Sequence, residues 1–210
     1  MTQKLKHPKV PCFLIVLLLF LLPSMMGVVP AKADTAANKS IIVWDGDKFD
    51  DGAGWTAPTS DKITVKRQNK EAHNGEVSLE FHGEGTDWMG FGWNWHNWWP
   101  EDSGDDVTSF KYLVFWLKIT GAAKPTQWTV SLNCSSTKKQ SASIEVMKDN
   151  PDLADGKWHR VTIRLADLCA DHPDFDIKKV WEIDMGEWCQ DPVAFSAFVD
   201  EIGFSMVGDE

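Results

Sequence analysis

Between Trp88 and Pro100 the chain reads Trp-Met-Gly-Phe-Gly-Trp-Asn-Trp-His-Asn-Trp-Trp-Pro, and this one stretch holds five of its twelve tryptophans. A helix is a poor reading of it. The rings of Trp88, Trp93, Trp95, Trp98 and Trp99 would be spread round most of the circumference, and Gly90 and Gly92 would each cost ~1 kcal/mol relative to Ala. An extended strand sorts the same residues. Met89, Phe91, Trp93 and Trp95 fall on one face, and Gly90, Gly92, Asn94 and His96 on the other. The bulky face is expected in a core, above all Phe91 and Trp93. From Asn97 the alternation fails, and Trp98-Trp99-Pro100 runs into the acidic, turn-rich segment Glu101–Asp106, as where a strand leaves a sheet at its rim. Trp98 and Trp99 are therefore candidates for exposed rings, which suit flat apolar ligands such as sugars.

The same period of two recurs along the chain. Strands are expected at Ile41–Trp44, Ile63–Arg67, Ser78–His82, Met89–Trp95, Tyr112–Ile119, Thr126–Cys134, Ala142–Val146, Trp158–Arg164, Val180–Met185 and Phe198–Phe204. Long helical periodicity is missing, and only Leu165–Ala170 suggests a turn of helix. Short strands at this spacing point to an all-β, two-sheet antiparallel sandwich. Trp128, Val130, Leu132 and Cys134 alternate with Thr129, Ser131 and Asn133; Trp181, Ile183 and Met185 alternate with Glu182 and Asp184. Each such strand buries one side and shows water the other. In Tyr112–Lys118, Leu113, Phe115 and Leu117 suit the core, which puts Trp116 beside Lys118 on the polar face. A tryptophan there suggests a binding surface.

Ahead of these strands, Lys4, Lys6, His7 and Lys9 precede the apolar run Cys12–Leu22, and Ala31-Lys-Ala33 follows. This is the order of a secretory signal peptide, so residues 1–33 are expected to be removed on export, with an uncleaved anchor as the alternative. The run is short for a bilayer span, which takes ~20 residues. Residues 34–40 read as a disordered lead-in and 41–206 as a single domain. The first 33 residues hold four lysines and no acid, so their loss takes the net charge from −10 to −14. That argues against nucleic acid or an anionic membrane as partner and suits a neutral one. Cys134, Cys169 and Cys189 remain, consistent with one disulfide, of which Cys169–Cys189 is the expected pairing, and one buried thiol. Their spacing lacks the Cys-x-x-Cys pairs of a zinc site.

The order Trp44-Asp-Gly-Asp47, His73-Asn-Gly-Glu-Val-Ser-Leu79, Tyr112–Lys118, Gly156-Lys-Trp-His-Arg-Val161 and Phe198-Val-Asp-Glu-Ile-Gly-Phe204 resembles carbohydrate-binding modules with the galactose-binding-like jelly-roll fold. The β-glucan-binding branch linked to endoglucanases is the nearest, and the resemblance spans about residues 41–206. It implies non-catalytic glycan binding in a groove on a concave sheet, through tryptophans and polar side chains. It also implies a structural calcium, with Asp45, Asp47, the His73–Gly75 loop through Asn74, and Asp200 at the matching positions. Such oxygen ligands suit calcium. In this chain the last-strand pair is Asp200-Glu201 rather than two aspartates.

The expected glycan site therefore centres on Trp116, with Lys118, Asn133, Glu182 and Asp184 on the same polar face and Trp98 and Trp99 at the rim. Two rival readings stand beside it. Glu182-Ile-Asp-Met-Gly-Glu187 matches the Glu-x-Asp-x-x-Glu signature of retaining β-glucanases, in which Glu182 would be nucleophile, Asp184 a modulator and Glu187 acid/base, the two glutamates ~5–5.5 Å apart. They are an odd step apart, so a β-bulge, which Gly186 could supply, would be needed to bring them to one face. The signature also lies near the end of the chain rather than in its middle. No other catalytic constellation is evident: the serines and His96, His159 and His172 lack nucleophile or metal-ligand spacing. The other rival is a secreted protein-interaction domain whose tryptophans are all core.

Overall fold

The protein is described by a computed structural model covering residues 39–47, 52–96, 104–121, 125–134 and 140–208, the side chains of 86, 87, 140 and 188–193 excepted. Among these residues the strands are β1 (Ser40–Trp44), β2 (Ala53–Ala57), β3 (Ile63–Gln68), β4 (Ser78–Asn94), β5 (Tyr112–Gly121), β6 (Gln127–Cys134), β7 (Gln140–Glu145), β8 (His159–Arg164) and β9 (Val180–Ser205). A 3-10 turn at Pro151–Ala154 and a single helical turn, α1 (Leu165–Leu168), complete the regular structure.

The two long strands organise everything else. β4 and β9 run antiparallel from Leu79 opposite Val199 to Asn94 opposite Glu182, with a register shift between Gly85 and Asp87. Before that shift β4 takes β3 as its other neighbour; after it, β2. The later half of β9 pairs with β5, which pairs with β8, and β1 lies beside the end of β9. The earlier half of β9 pairs with β6, which pairs with β7. The ribbon thus passes from a first sheet, which holds β1, β3, β5 and β8, into a second, which holds β2, β6 and β7, giving the expected two-sheet antiparallel sandwich. Where the sequence suggested two strands on either side of Gly83–Asp87, and again between Met185 and Phe198, there is one bent strand. On β4 the bend follows Gly83 and Gly85; on β9 it falls at Cys189–Val193, where the register shifts and no glycine lies.

The core fills the space between the sheets. Phe81 of the first sheet stacks on Phe91 of the second with ring centres 3.9 Å apart, and Trp128 meets Phe195 edge-on at 5.9 Å. Trp44 on β1 packs edge-on against Trp93. Met89, Phe91, Trp93 and Trp95 are all buried, as are Leu113, Phe115, Leu117 and Ile119 of β5. The inward faces follow the expected alternation because in a strand facing is set residue by residue.

Residues 1–33 and most of the 34–40 lead-in lie outside the described residues, although Ser40 already opens β1. Cys169 is a half-buried free thiol, so the expected Cys169–Cys189 bridge is not formed, and Cys134 is buried. Burial pushes the Cys169 thiol pKa up, which makes it a poor nucleophile. Finally, β2 was not anticipated, because Ala-Gly-Trp-Thr-Ala has neither alternation nor a β-branched run.

Candidate functional site

The outward face of the second sheet carries the most distinctive arrangement. Pairing brings Gly92 of β4 between Trp55 of β2 and Asp184 of β9, and places Gly90 beside Gly186. These glycines are a bed for indole rings. A Cβ on Gly92 would lie 2.2 Å from Trp55 Nε1, one on Gly90 would lie 2.3 Å from the Trp88 ring, and one on Gly186 would lie 2.9 Å from Trp88 Nε1. Each ring therefore lies down on the backbone instead of standing off it. Trp88 keeps 45% of its surface exposed, the most of any large apolar side chain among the described residues.

Polar groups converge beside the rings. Asn133 of β6 sits opposite Glu182, which sits opposite Asn94 of β4. Asn133 Nδ2 donates to Glu182 Oε1 at 2.7 Å and also to Asp184 Oδ2. Trp55 Nε1 donates to the same Glu182 oxygen at 3.2 Å, tying the ring to the carboxylate. Glu182 is only 1% exposed, and neither its Oε2 nor Asn94 Nδ2 has a hydrogen-bond partner among the described residues. An acceptor and a donor thus stand unpaired on neighbouring strands but closed to solvent, so a ligand hydroxyl would meet them only once the side chains above them move aside. Beyond them, Ser131, Thr129, Ser141 and Ser143 continue the outward face across β6 and β7.

Three members of the expected site, Asn133, Glu182 and Asp184, are thus brought together. Trp116 and Lys118 are not. They face outward from β5, in the other sheet, so the whole core separates them from Glu182. Both polar faces had been read as one because alternation gives facing within a strand and says nothing about which sheet holds it. Trp116 is half-buried under the His73 ring, stacked at 3.6 Å and 13°, and Lys118 Nζ pairs with Glu71 at 2.7 Å. Trp98 and Trp99 lie outside the described residues. Sequence reasoning missed Trp55 and Trp88 as site rings. For Trp88 a signal was present: it shares strand parity with Gly90 and Gly92.

The glucanase constellation is not assembled. From Glu182 to Glu187 the β9 register against both β4 and β6 is unbroken, so the bulge it needed is absent. Glu182 faces out with Asn133, while Glu187 is level with Met89 and Trp128 and buried. Five residues of strand span ~17 Å, and the odd step puts the two carboxyls on opposite faces. Neither a shared bond nor a ~5–5.5 Å gap is available to them.

The expected calcium ligands do meet in space. Asp200 is fully buried; its Oδ2 accepts from the His73 and Asn74 backbone N–H groups at 2.9 and 3.2 Å, and its Oδ1 from Glu201 N at 2.8 Å. Asp47 accepts from Glu76 N at 3.1 Å with both oxygens, while Asp45 Oδ1 accepts from Asp47 N. Asn74 Nδ2 turns to Glu201 Oε1. Burial raises the Asp200 carboxyl to about 6, against the pull of its three N–H donors. The oxygen chemistry suits a hard cation, but these oxygens are closed by N–H donors, and among the described residues no three His, Cys, Asp or Glu side chains converge as a ligand set. As arranged, the cluster does not present a calcium shell.

Comparison with known proteins agrees with this architecture. A crystal structure of a family 30 carbohydrate binding module superposes with a TM-score of 0.58 at 16% identity, covering 82% of this chain and 90% of that one. The family 30 module of the cellulosomal cellulase Cel9D-Cel44B of Clostridium thermocellum gives 0.57 at 14% identity, covering 81% and 99%. The family 11 module of the cellulosomal cellulase Lic26A-Cel5E of the same organism gives 0.51 at 13%, covering 82% and 97%. At these identities the likeness is one of fold. No curated protein matches the chain significantly. The model of carbohydrate binding domain 30, however, matches residues 37–206, almost the whole of the sandwich, and the chain belongs to that family of carbohydrate-binding domains.

Proposed function

We propose that the outward face of the second sheet binds a β-linked glucan without cleaving it, with Trp55 and Trp88 as the floor and Asn94, Asn133, Glu182 and Asp184 as the polar wall. The observation that carries this is Trp88, 45% exposed and laid flat over Gly90 and Gly186 in line with Trp55. In β-glucans the equatorial hydroxyls leave the ring faces apolar, so a flat indole covers a ring while edge hydroxyls reach the wall. The rings rest over Gly90 and Gly92, two residues or ~7 Å apart along the strand, a floor longer than one pyranose ring, which suits an oligosaccharide. Both modules from Clostridium thermocellum cellulases share this fold, which supports the choice of glucan.

The proposal includes export, supported by the order of basic, apolar and small residues before Asp34, and N-terminal sequencing of the mature protein tests it. Calcium at Asp45, Asp47, Asn74 and Asp200 is proposed on donor chemistry alone. It would require those carboxylates to turn from the loop N–H groups, and it would stabilise the fold away from the glycan. A glycan array combined with a reducing-sugar assay on the same β-glucans tests the main reading. Binding without release of reducing ends is expected. Release of reducing ends by the wild type, or binding confined to other glycan classes, would overturn it.

A further inference from the structure

The other face of the sandwich has a pocket that the proposed function does not use. It has a volume of about 320 Å³ and lies on the outward side of the first sheet, with Trp116, Arg160 and Glu201 among its walls and Ile42 and Val207 at its edge. That volume is at the small end of the range for small-molecule sites. Only three large apolar residues are strongly exposed among the described residues: Trp88, on the glycan face, and Ile42 and Val207, both of which line this pocket.

Glu201 stands out in its backbone as well. It has φ of 50°, and is the one non-glycine residue with positive φ among those described. It lies where the β5–β9 register shifts between Val114 and Trp116. Irregularities of this kind re-aim side chains and recur at functional sites, where an unfavourable backbone is retained for what it positions. Here the carboxylate is oriented by His73 Nδ1 at 2.8 Å and Asn74 Nδ2 at 3.2 Å. The same His73 ring covers one face of Trp116, and the pocket, which His73 does not line, meets the rest of the indole, so the aromatic wall and the acceptor are held by one residue.

We propose that this pocket is a second carbohydrate subsite, taking one residue of a neutral β-glucan against Trp116, with Glu201 and Arg160 addressing its hydroxyls. An aromatic wall, an apolar edge and one group of each charge suit a neutral polyhydroxylated ring. A carboxylated ligand would meet Glu201 and a chain of net charge −10. The two sites face away from each other, so a single stretch of straight glucan does not reach both. Two engaged faces therefore cross-link separate chains instead of tightening the grip on one. The inference relies on the glycan reading of the first face only for the choice of probe.

The test is a titration of the mature protein with a β-glucan tetrasaccharide, followed by calorimetry and by the indole N–H resonances. Two molecules per chain are expected, with the Trp116 indole shifting in the wild type and in Trp88→Ala. Arg160→Met should leave one molecule per chain and an unmoved Trp116 resonance. With a soluble β-glucan polymer, the wild type should raise turbidity near equivalence, and Arg160→Met should lose most of it. One molecule per chain with a Trp116 resonance unmoved at saturation overturns the second subsite and leaves the first intact. No binding by the wild type at either face overturns both readings together. The resonance is read in the wild type, so a variant that fails to fold does not shelter the idea.

Discussion

Replacing Trp88 by Ala separates a platform from a core ring. With ~200 Å² of indole surface, 45% exposure leaves ~90 Å² for a ligand to cover, worth ~2 kcal/mol at ~25 cal/mol/Å². Stacking adds ~0.5–1.5 kcal/mol, so the loss is ~3–4 kcal/mol, or roughly 100- to 1,000-fold in Kd. At this face a micromolar Kd then becomes ~0.1–1 mM, while binding at the Trp116 pocket is left as it was. The buried ~110 Å² resting on Gly90 and Gly186 sets an upper limit of ~3 kcal/mol on lost stability, since an extended-chain reference overstates burial. Trp93→Ala is the contrast: Trp93 is inward and buried, so it should lose ~3–5 kcal/mol in a urea melt. Isothermal titration and urea melts on the two variants decide it. If Trp88→Ala binds β-glucan with unchanged Kd, the glycine-bedded ring is not the platform and the proposed site loses its main support.

Further outcomes follow from the same geometry. Gly92→Ala places a methyl 2.2 Å from Trp55 Nε1 and 2.3 Å from Asp184 Oδ1, so it should displace both and weaken binding at least tenfold while the domain still folds. Titrations and melts of that variant check this. Glu182→Gln exchanges a charged acceptor for a neutral one at the Asn133 and Trp55 bonds and should cost ~1–3 kcal/mol. Because catalysis is not expected, wild type and variant should show the same null in a reducing-sugar assay. The Asp200 carboxyl is raised to about 6, above its unfolded value of ~3.9, so the folded state binds more protons between these values. In chelator, stability should therefore fall as pH rises from about 4 to about 6, by no more than ~3 kcal/mol, and urea melts across that window measure it. At pH 7, calcium at 100 times its Kd should restore ~2.7 kcal/mol if the acidic cluster takes the ion; identical melting curves with calcium and with chelator would remove the calcium proposal.

Facing within each strand was legible in the sequence. Met89, Phe91, Trp93 and Trp95 pointed inward as read, and so did the apolar residues of β5 and β6, because a period of two is a local property of extended backbone. The strand count and turn spacing were enough for an all-β sandwich, and the ordered motifs were enough for the carbohydrate-binding resemblance. The odd step between Glu182 and Glu187 already showed what the glucanase reading required. Only the pairing of β9 with β4 and β6 decided that the bulge was not there.

What the sequence left open depends on contacts between distant segments. Trp116 and Glu182 both read as outward, yet they face away from opposite sides of the core, since β5 joins the later half of β9 and β6 the earlier half. Trp55 lies in a strand with no pattern of its own and becomes a site residue only through its place over Gly92. Trp88 is a candidate platform only because Gly90 and Gly186, from different strands, form one flat bed beneath it. The sequence by itself determined which residues each strand buries, because alternation is built into the backbone. The tertiary structure alone decided which outward faces share a side, because that depends on strand pairing, and pairing is a long-range choice that no local period encodes.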